Sequence, residues 1–320
     1  MVLRDIFSPI ACELEAMLQL IETSIPRDDQ HLSLLCAPLA QNPGKCIRPG
    51  LLLLSAQLTP PIRDTAYVVP AAAALELLHW ASLVHDDVID GASIRRGMPT
   101  INFLTDSTTA ILVGDFFFSR ALSFLAGYGG DVLETVAELL YELVSGQVRE
   151  QMELGQYRLT EAAYLRLIDQ KTARFLATAC GLGARLAGAP EDVISGAEEY
   201  GYALGMVYQL RDDLLDISGD GQRLGKATGM DATTGVETLS AIRARNLVPE
   251  QYHQLVARMG KDGDQAPLQA LLWECGALDY TEEHINYYAE QGHQCLERLP
   301  SGTSTDSLKR LLSYVVSRER

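Results

Sequence analysis

Leu75-Glu76-Leu77-Leu78-His79-Trp80-Ala81-Ser82-Leu83-Val84-His85-Asp86-Asp87-Val88-Ile89-Asp90 is an apolar run that stops on three aspartates. Its spacing predicts the end of a long apolar helix, with Asp86 and Asp90 at i and i+4, on one face and one turn apart. Like charges so placed repel, and are tolerated in solvent or where something positive sits between them. Hard oxygen donors at that spacing suit magnesium, which keeps several waters and shares substrate phosphates. A second copy, Asp212-Asp213-Leu214-Leu215-Asp216, closes another apolar stretch that starts just after the break at Pro190.

A solvated acidic face is the competing reading of either cluster. At about 6% Asp, a DDxxD pattern arises by chance in roughly 0.07 of chains of this length and two copies in about 0.002. Two copies, both at the ends of apolar helices, therefore favour a metal site. Cations stand where phosphate would need them. Gly44-Lys45-Cys46-Ile47-Arg48-Pro49 places two at the start of a helix, whose free N–H groups already favour anions. Ile94-Arg95-Arg96-Gly97 follows the first cluster, and Lys171-Thr172 and Gly225-Lys226 add two further positive sites. Each alone reads more readily as a surface charge. Together with two magnesium-type clusters they describe a pocket for two diphosphate groups, one metal-bound and one held by cations.

The rest of the chain supplies the frame. Apolar spacing is helical almost throughout, strand-like alternation is scarce, and Gly/Pro breaks punctuate the chain without any low-complexity linker or repeat. The expectation is one all-α domain over residues 1–320, a helical bundle with a central active-site cavity. Of 320 residues 47% are hydrophobic, enough for a large core. With 26 Lys and Arg against 42 Asp and Glu, the net charge of −16 argues against a nucleic-acid partner. Six scattered cysteines with no CxxC pair, and a start lacking a basic-apolar-small export pattern, lead us to expect a cytoplasmic chain with reduced thiols. The longest apolar tract, Ala66 to Val84, is interrupted by Pro70, Glu76 and His79, so no transmembrane helix is expected. Without a basic amphipathic anchor, membrane contact is at most peripheral.

These motifs, in order and spacing, resemble those of the trans-isoprenyl diphosphate synthases, or polyprenyl synthetases, from about Asn42 to Tyr314-Val315-Val316-Ser317-Arg318. In local motif the chain is most similar to the medium- and long-chain, heptaprenyl-type members. The resemblance implies the all-α isoprenoid synthase fold, usually homodimeric. It also implies magnesium-dependent head-to-tail condensation of isopentenyl diphosphate with an allylic prenyl diphosphate. About three magnesium ions would be held by Asp86, Asp90 and Asp212, helped by Asp87, Asp213 and Asp216. Arg95, Lys171, Thr172, Gln209 and Lys226 would contact the allylic diphosphate. Lys45, Arg48, His79 and Arg96 would hold the diphosphate of the donor. Asp86, Asp90, Asp212, Lys171 and Gln209 would be the residues closest to catalysis. His85 reads as a structural hydrogen-bonding residue rather than a base.

The chain departs from the family pattern at Cys46, where Arg is frequent, and at Gly235-Val236-Glu237-Thr238-Leu239-Ser240, where a GKxTLP motif is common. Val236 thus replaces a phosphate-facing Lys and Ser240 a Pro, which leads us to expect weaker allylic binding or altered preference. In this family product length is read from the helix before the first cluster. Ala81 and Ser82 are small, Leu78 and Leu77 lie one turn deeper, and Trp80 could intrude if its ring turned inward. A product of twenty carbons or more is expected, with about thirty to forty favoured. Phe116, Phe117 and Phe118 are expected to line or buttress the same cavity, an ordinary core role being equally open to any single one. The competing readings are a terpene cyclase on the same fold, which would not need the Lys45, Arg48, His79 and Arg96 set, and a partner or regulatory subunit of a heteromeric synthase.

Overall fold

Helix is what this sequence can form almost everywhere, and caps decide where each one starts and stops. In the computed structural model, which describes residues 3–59, 65–218, 237–262 and 266–318, the chain begins with α1 (Leu3–Ile6), a 3-10 turn (Ser8–Ile10), α2 (Ala11–Ser24), α3 (Gln30–Gln41), α4 (Ile47–Ala56) and α5 (Thr65–Ile89). A hairpin of β1 (Ile94–Arg95) and β2 (Met98–Pro99) leads to α6 (Ile101–Leu104), α7 (Ser107–Leu125), α8 (Gly130–Glu153) and α9 (Glu161–Ile168). A π turn (Asp169–Ala173) joins α9 to α10 (Arg174–Leu186) and α11 (Glu191–Ser218). Then come α12 (Leu239–Leu247), α13 (Pro249–Asp262), α14 (Ala266–Glu274), α15 (Ala277–Arg298) and α16 (Thr303–Val316). Asp29, Asp106, Thr160 and Thr238 accept backbone N–H bonds at the starts of α3, α7, α9 and α12, satisfying donors that have no partner within the helix.

The described residues group into two compact units, each assembled from separate stretches of chain. Unit 1 comprises Met1–Ala137, Thr178–Glu198 and Arg298–Leu308. Its centre is α5, which packs against α2, α4 and α7. Ala71 to Leu75, Leu77, Leu78, Trp80 and Ala81 are all buried, so α5 is apolar on every side, as a helix surrounded by others must be. Trp80 lies edge-on to Phe117 of α7 at 5.6 Å and Phe116 tilts against Phe117, so the three aromatics form one core cluster. Gly183 of α10 lets that helix touch α4: a Cβ there would sit on the Leu52 carbonyl oxygen.

Both α5 and α7 are long and apolar enough to cross a membrane by length and composition, despite Pro70, Glu76 and His79 in the first. Burial distinguishes them. Within α5 72% of the most apolar window lies inside the protein, as befits a core helix, against 33% for α7.

Unit 2 comprises Glu138–Ala177, Glu199–Glu297 and Lys309–Arg320. Here α11 is the central element, with Tyr200, Leu204, Val207 and Leu210 buried. Gly201 and Gly205 bring it against the backbone of Leu176–Ala177 and of Ala173, and Gly292 of α15 meets Leu312 of α16 and Ala203 of α11.

Candidate functional site

Unit 1 carries the first carboxylate cluster on the last turn of α5. Gly91, at φ +63°, ends the helix: Ala92 N–H donates to the Asp87 carbonyl at 2.9 Å and Gly91 N–H to that of Val88 at 3.3 Å. This αL stop leaves Asp86 half-buried and Asp90 exposed, one turn apart at the helix C-terminus. The helix dipole is negative at that end, so carboxylates there are placed against the local field, and a bound cation relieves the conflict. Asp87 differs. Its carboxylate is buried and accepts Arg95 Nε–H at 2.6 Å; burial raises its pKa and Arg95 opposes the rise.

The hairpin after α5 places Arg96. Ile94 pairs with Pro99 and Arg95 with Met98, leaving Arg96 and Gly97 as a two-residue turn with φ of +51° and +76°. Positive φ at both central positions is the type I′ pattern, which suits the strand twist but is costly for Arg. Asn102 Nδ2 donates to the Asp87 and Ala92 carbonyls at 3.1 and 2.9 Å, tying the hairpin's exit to the end of α5. Arg96 then reaches back to the segment before α4: a Cβ on Gly44 would overlap its guanidinium. Glycine at 44, itself at φ +83°, therefore makes room for this cation.

Around His79 three arginines converge. Burial, then Arg48, Arg96 and Arg95, push His79 well below the ordinary histidine range, so it stays neutral and can offer a hydrogen bond rather than a charge. Arg48 sits in the first turn of α4 and Lys45 is exposed just before it. Cys46, at φ +48°, precedes α4; burial and Glu76 push its thiol up to about 12, against Arg96, so it carries no charge. Arg48, His79 and Arg96, three of the residues expected on the donor diphosphate, thus share one neighbourhood. His85 turns elsewhere: Nε2 lies 3.1 Å from the Ile111 carbonyl and the ring covers Gly114 of α7, a structural arrangement. Ala81, Leu77 and Leu78 are buried on α5, and Ser82 Oγ donates to the His79 carbonyl at 2.8 Å. The Trp80 ring is fixed by Phe117 and by its N–H bond to Glu76 Oε1 at 2.9 Å.

Unit 2 carries the second cluster at the end of α11, again at a helix C-terminus. Asp213 is buried and both its oxygens are taken, Oδ2 by the Tyr164 hydroxyl at 2.5 Å and Oδ1 by Gln209 Nε2 at 2.8 Å. Gln209 Oε1 in turn accepts the Thr172 hydroxyl at 2.8 Å. Thr172 and Lys171 stand in the π turn, closed by Arg174 N–H donating to the Asp169 carbonyl, and Lys171 Nζ pairs with Glu150. Such insertions recur at functional sites because they re-aim side chains within a helix. Asp212 Oδ1 accepts Arg318 Nη1 at 2.8 Å, and that guanidinium lies 5.4 Å from the Tyr208 ring centroid. Tyr164, Glu150 and Arg318 have no signal in the DDxxD or Lys-Thr motifs, and only spatial proximity reveals them. Asp216 is half-buried beside them in sequence. Lys226 and Val236 lie outside the described residues. Ser240, in place of the usual Pro, is buried and shares a 2.8 Å hydrogen bond with Thr281.

Among the described residues no three His, Cys, Asp or Glu side chains form a closed metal cage. Each cluster instead offers two carboxylates a turn apart, Asp86 with Asp90 and Asp212 with Asp216. That is the open arrangement in which magnesium keeps its waters and takes phosphate oxygens, so the residues fit the ion.

The family model for polyprenyl synthetases matches residues 29–273. The chain is 32% identical over 323 residues to heptaprenyl diphosphate synthase component 2 of Geobacillus stearothermophilus, covering 100% of both. It is 32% identical over 298 residues to octaprenyl diphosphate synthase of Escherichia coli, covering 92% of each. A crystal structure of a decaprenyl diphosphate synthase from Rhodobacter capsulatus superposes with a TM-score of 0.93 at 31% identity over 100% of both chains.

Proposed function

The chain belongs to the polyprenyl synthetase family of prenyltransferases, and from that premise we propose that it condenses isopentenyl diphosphate head to tail with an allylic prenyl diphosphate to give a product of twenty or more carbons, with about thirty to forty favoured. The observation that carries the reading is the pair of carboxylate clusters at helix C-termini, the first accompanied by the Arg48, His79 and Arg96 neighbourhood and the second by the Lys171, Thr172 and Gln209 network. Relatives named for heptaprenyl and octaprenyl products support the favoured range, and relatives named for geranylgeranyl, nonaprenyl and decaprenyl products lie to either side of it. A cyclase would have no use for the donor-side cations.

Asp86 and Asp90 in unit 1, and Asp212 and Asp216 in unit 2, would hold the magnesium, about three ions when substrate is bound. Asp87 and Asp213 serve beside them by orienting Arg95 and Gln209. Magnesium supplies electrophilic stabilisation of the departing diphosphate. Lys171, Thr172, Gln209 and Arg95, with Lys226, hold the allylic diphosphate so that its carbon–oxygen bond breaks and leaves an allylic cation. Arg48, His79, Arg96 and Lys45 hold the donor so that its double bond attacks that cation. The new carbon–carbon bond shifts the charge to the donor, and loss of a proton to the released diphosphate restores the double bond. The apolar interior around α5 keeps water from the cation.

Five crossings between the two units along the chain make neither a separable segment, which supports one domain over 1–320. We assign a homodimer in the cytoplasm. In unit 1, α7 exposes Ile111, Leu112 and Leu122; in unit 2, α8 exposes Tyr141, Val144, Val148 and Met152 on one face. A light-scattering mass of two chains supports this, and a mass of one overturns it. The relative named component 2 favours a second reading, in which a different partner chain is required.

Purified chain incubated with magnesium, labelled isopentenyl diphosphate and ten-, fifteen- or twenty-carbon allylic primers should yield a product ladder ending at twenty carbons or more. No incorporation with any primer points to the missing partner. In the same assay Ala81→Phe should shorten the product, because a ring replaces a methyl on the helix the tail follows; an unchanged distribution in folded protein removes Ala81 from the length ruler.

A further inference from the structure

Tyr164 carries a buried hydroxyl that the chemistry above does not use. A buried phenol needs a hydrogen-bond partner, and a buried carboxylate needs donors. Tyr164 and Asp213 meet both needs, the hydroxyl donating to Asp213 Oδ2 at 2.5 Å. Asp213 Oδ1 accepts Gln209 Nε2 at 2.8 Å, and Gln209 Oε1 accepts the Thr172 hydroxyl at 2.8 Å. One chain of hydrogen bonds thus joins Tyr164 to Thr172, entirely within unit 2.

The backbone explains how two residues of one helical stretch reach the same part of α11. Helix runs unbroken through α9, the π turn and α10. In regular α-helix, at 3.6 residues per turn, Tyr164 and Thr172 would stand about 80° apart around the axis. The π turn inserts one residue, takes up about 100° and brings the two to within about 20° of a common stripe. Gln209 and Asp213, at i and i+4 on α11, also share a stripe. Gly205 lets the helices approach, since a Cβ there would fall on the Ala173 backbone. Chemistry then fixes the direction of the chain. A carboxylate only accepts, so Gln209 turns its NH2 to Asp213 and its carbonyl to Thr172. One Gln209 N–H is thereby committed to Asp213, and because the amide is planar the direction of the other is set with it.

We propose that Tyr164, acting through Asp213, is a positioning residue for the allylic diphosphate: it pins Asp213 inward, which fixes the Gln209 amide and directs its second N–H to a diphosphate oxygen. The proposal rests on the reading of Gln209 as an allylic contact. The arrangement is the counterpart of outer-shell residues that orient metal ligands, whose loss typically costs about 10–100-fold in affinity or activity.

Tyr164→Phe keeps the ring and removes the hydroxyl. Steady-state kinetics of the full chain, varying each substrate at saturation of the other, should show the KM for the allylic diphosphate raised about tenfold. The KM for isopentenyl diphosphate should not move, because the residues read as donor contacts lie in unit 1. Gln209→Ala and the double variant, measured in parallel, test the route. A hydroxyl that works through Gln209 adds little once Gln209 is gone, so the double variant should match Gln209→Ala; full additivity overturns the proposal. A raised allylic KM in Gln209→Ala with an unchanged one in Tyr164→Phe overturns it and leaves the allylic site standing. No change in either overturns both. A purely structural role, which would lower the thermal midpoint and scale down kcat with both KM values unchanged, also overturns it. Should Tyr164→Phe fail to fold, Asp213→Asn leaves one acceptor oxygen for two donors; a selective rise in allylic KM supports the proposal and an unchanged one overturns it.

Discussion

Asp86→Ala and Asp212→Ala are each expected to reduce turnover by about three orders of magnitude, the scale of losing a group that stabilises charge in a water-excluded transition state. The fold should survive. Asp86 stands at the C-terminus of α5, where a carboxylate opposes the helix dipole, so its removal relieves about 0.3–1 kcal/mol of local conflict. The circular-dichroism midpoint of Asp86→Ala should therefore match or slightly exceed that of the parent. Asp212 is paired with Arg318 at 2.8 Å, a partly exposed contact whose loss matters little to stability. Asp87→Ala offers the contrast, because it deletes the buried partner of Arg95 at 2.6 Å and works through that cation. Undiminished turnover in both Asp86→Ala and Asp212→Ala would remove the metal assignment altogether.

Gly183→Ala should produce the largest change in stability. The added methyl would fall on the Leu52 carbonyl oxygen, a backbone atom that cannot rotate away, so α10 and α4 must move apart. Overpacking of this kind costs typically 1–3 kcal/mol, and backbone against methyl belongs at the upper end, about 3 kcal/mol. Urea unfolding should show the midpoint falling with an unchanged slope. A loss below about 0.5 kcal/mol would mean the two helices are not in backbone contact. Because α4 carries Arg48 in its first turn, a folded Gly183→Ala protein should also bind the donor less well.

The elements bearing the chemistry were legible from local pattern. Apolar spacing that runs into Asp86 and Asp212, with the break at Pro190 before the second, predicts α5 and α11, and an i, i+4 count puts Asp86 over Asp90. What local pattern could not show depends on residues distant in sequence. Asp87 and Asp213 look like their neighbours in a DDxxD string, yet they are drawn inward by Arg95 and by Tyr164, the latter 49 positions away. Arg318 reaches Asp212 across 106 positions. The π turn at Asp169–Ala173 falls on the polar run Asp169-Gln170-Lys171-Thr172, so hardly any apolar residue there records the shift of about 100° that one inserted residue brings. The reversal at Arg96–Gly97 reads as a turn, but nothing nearby reveals that Arg96 will lie over Gly44. Trp80, expected to intrude on the product if its ring turned inward, is instead held by Glu76 four residues before it.

The interleaving of the two units bears on how the protein is made. Residues 298–308 belong to unit 1 and residues from 309 onward to unit 2. A chain emerging from the ribosome in sequence order therefore completes unit 1 only after residues 298–308 have appeared, and unit 2 only after those from 309 onward. The apolar helix α5, with its aspartates, is exported early and must wait for α10 before its partner α4 finds the backbone contact at Gly183. During that interval it presents a sticky surface to the cell, of the kind that chaperones recognise. A nascent fragment stopped short of α16 would carry the first cluster in full and lack Arg318, the partner of the second. Folding of one unit to completion before the other has begun is closed to this topology.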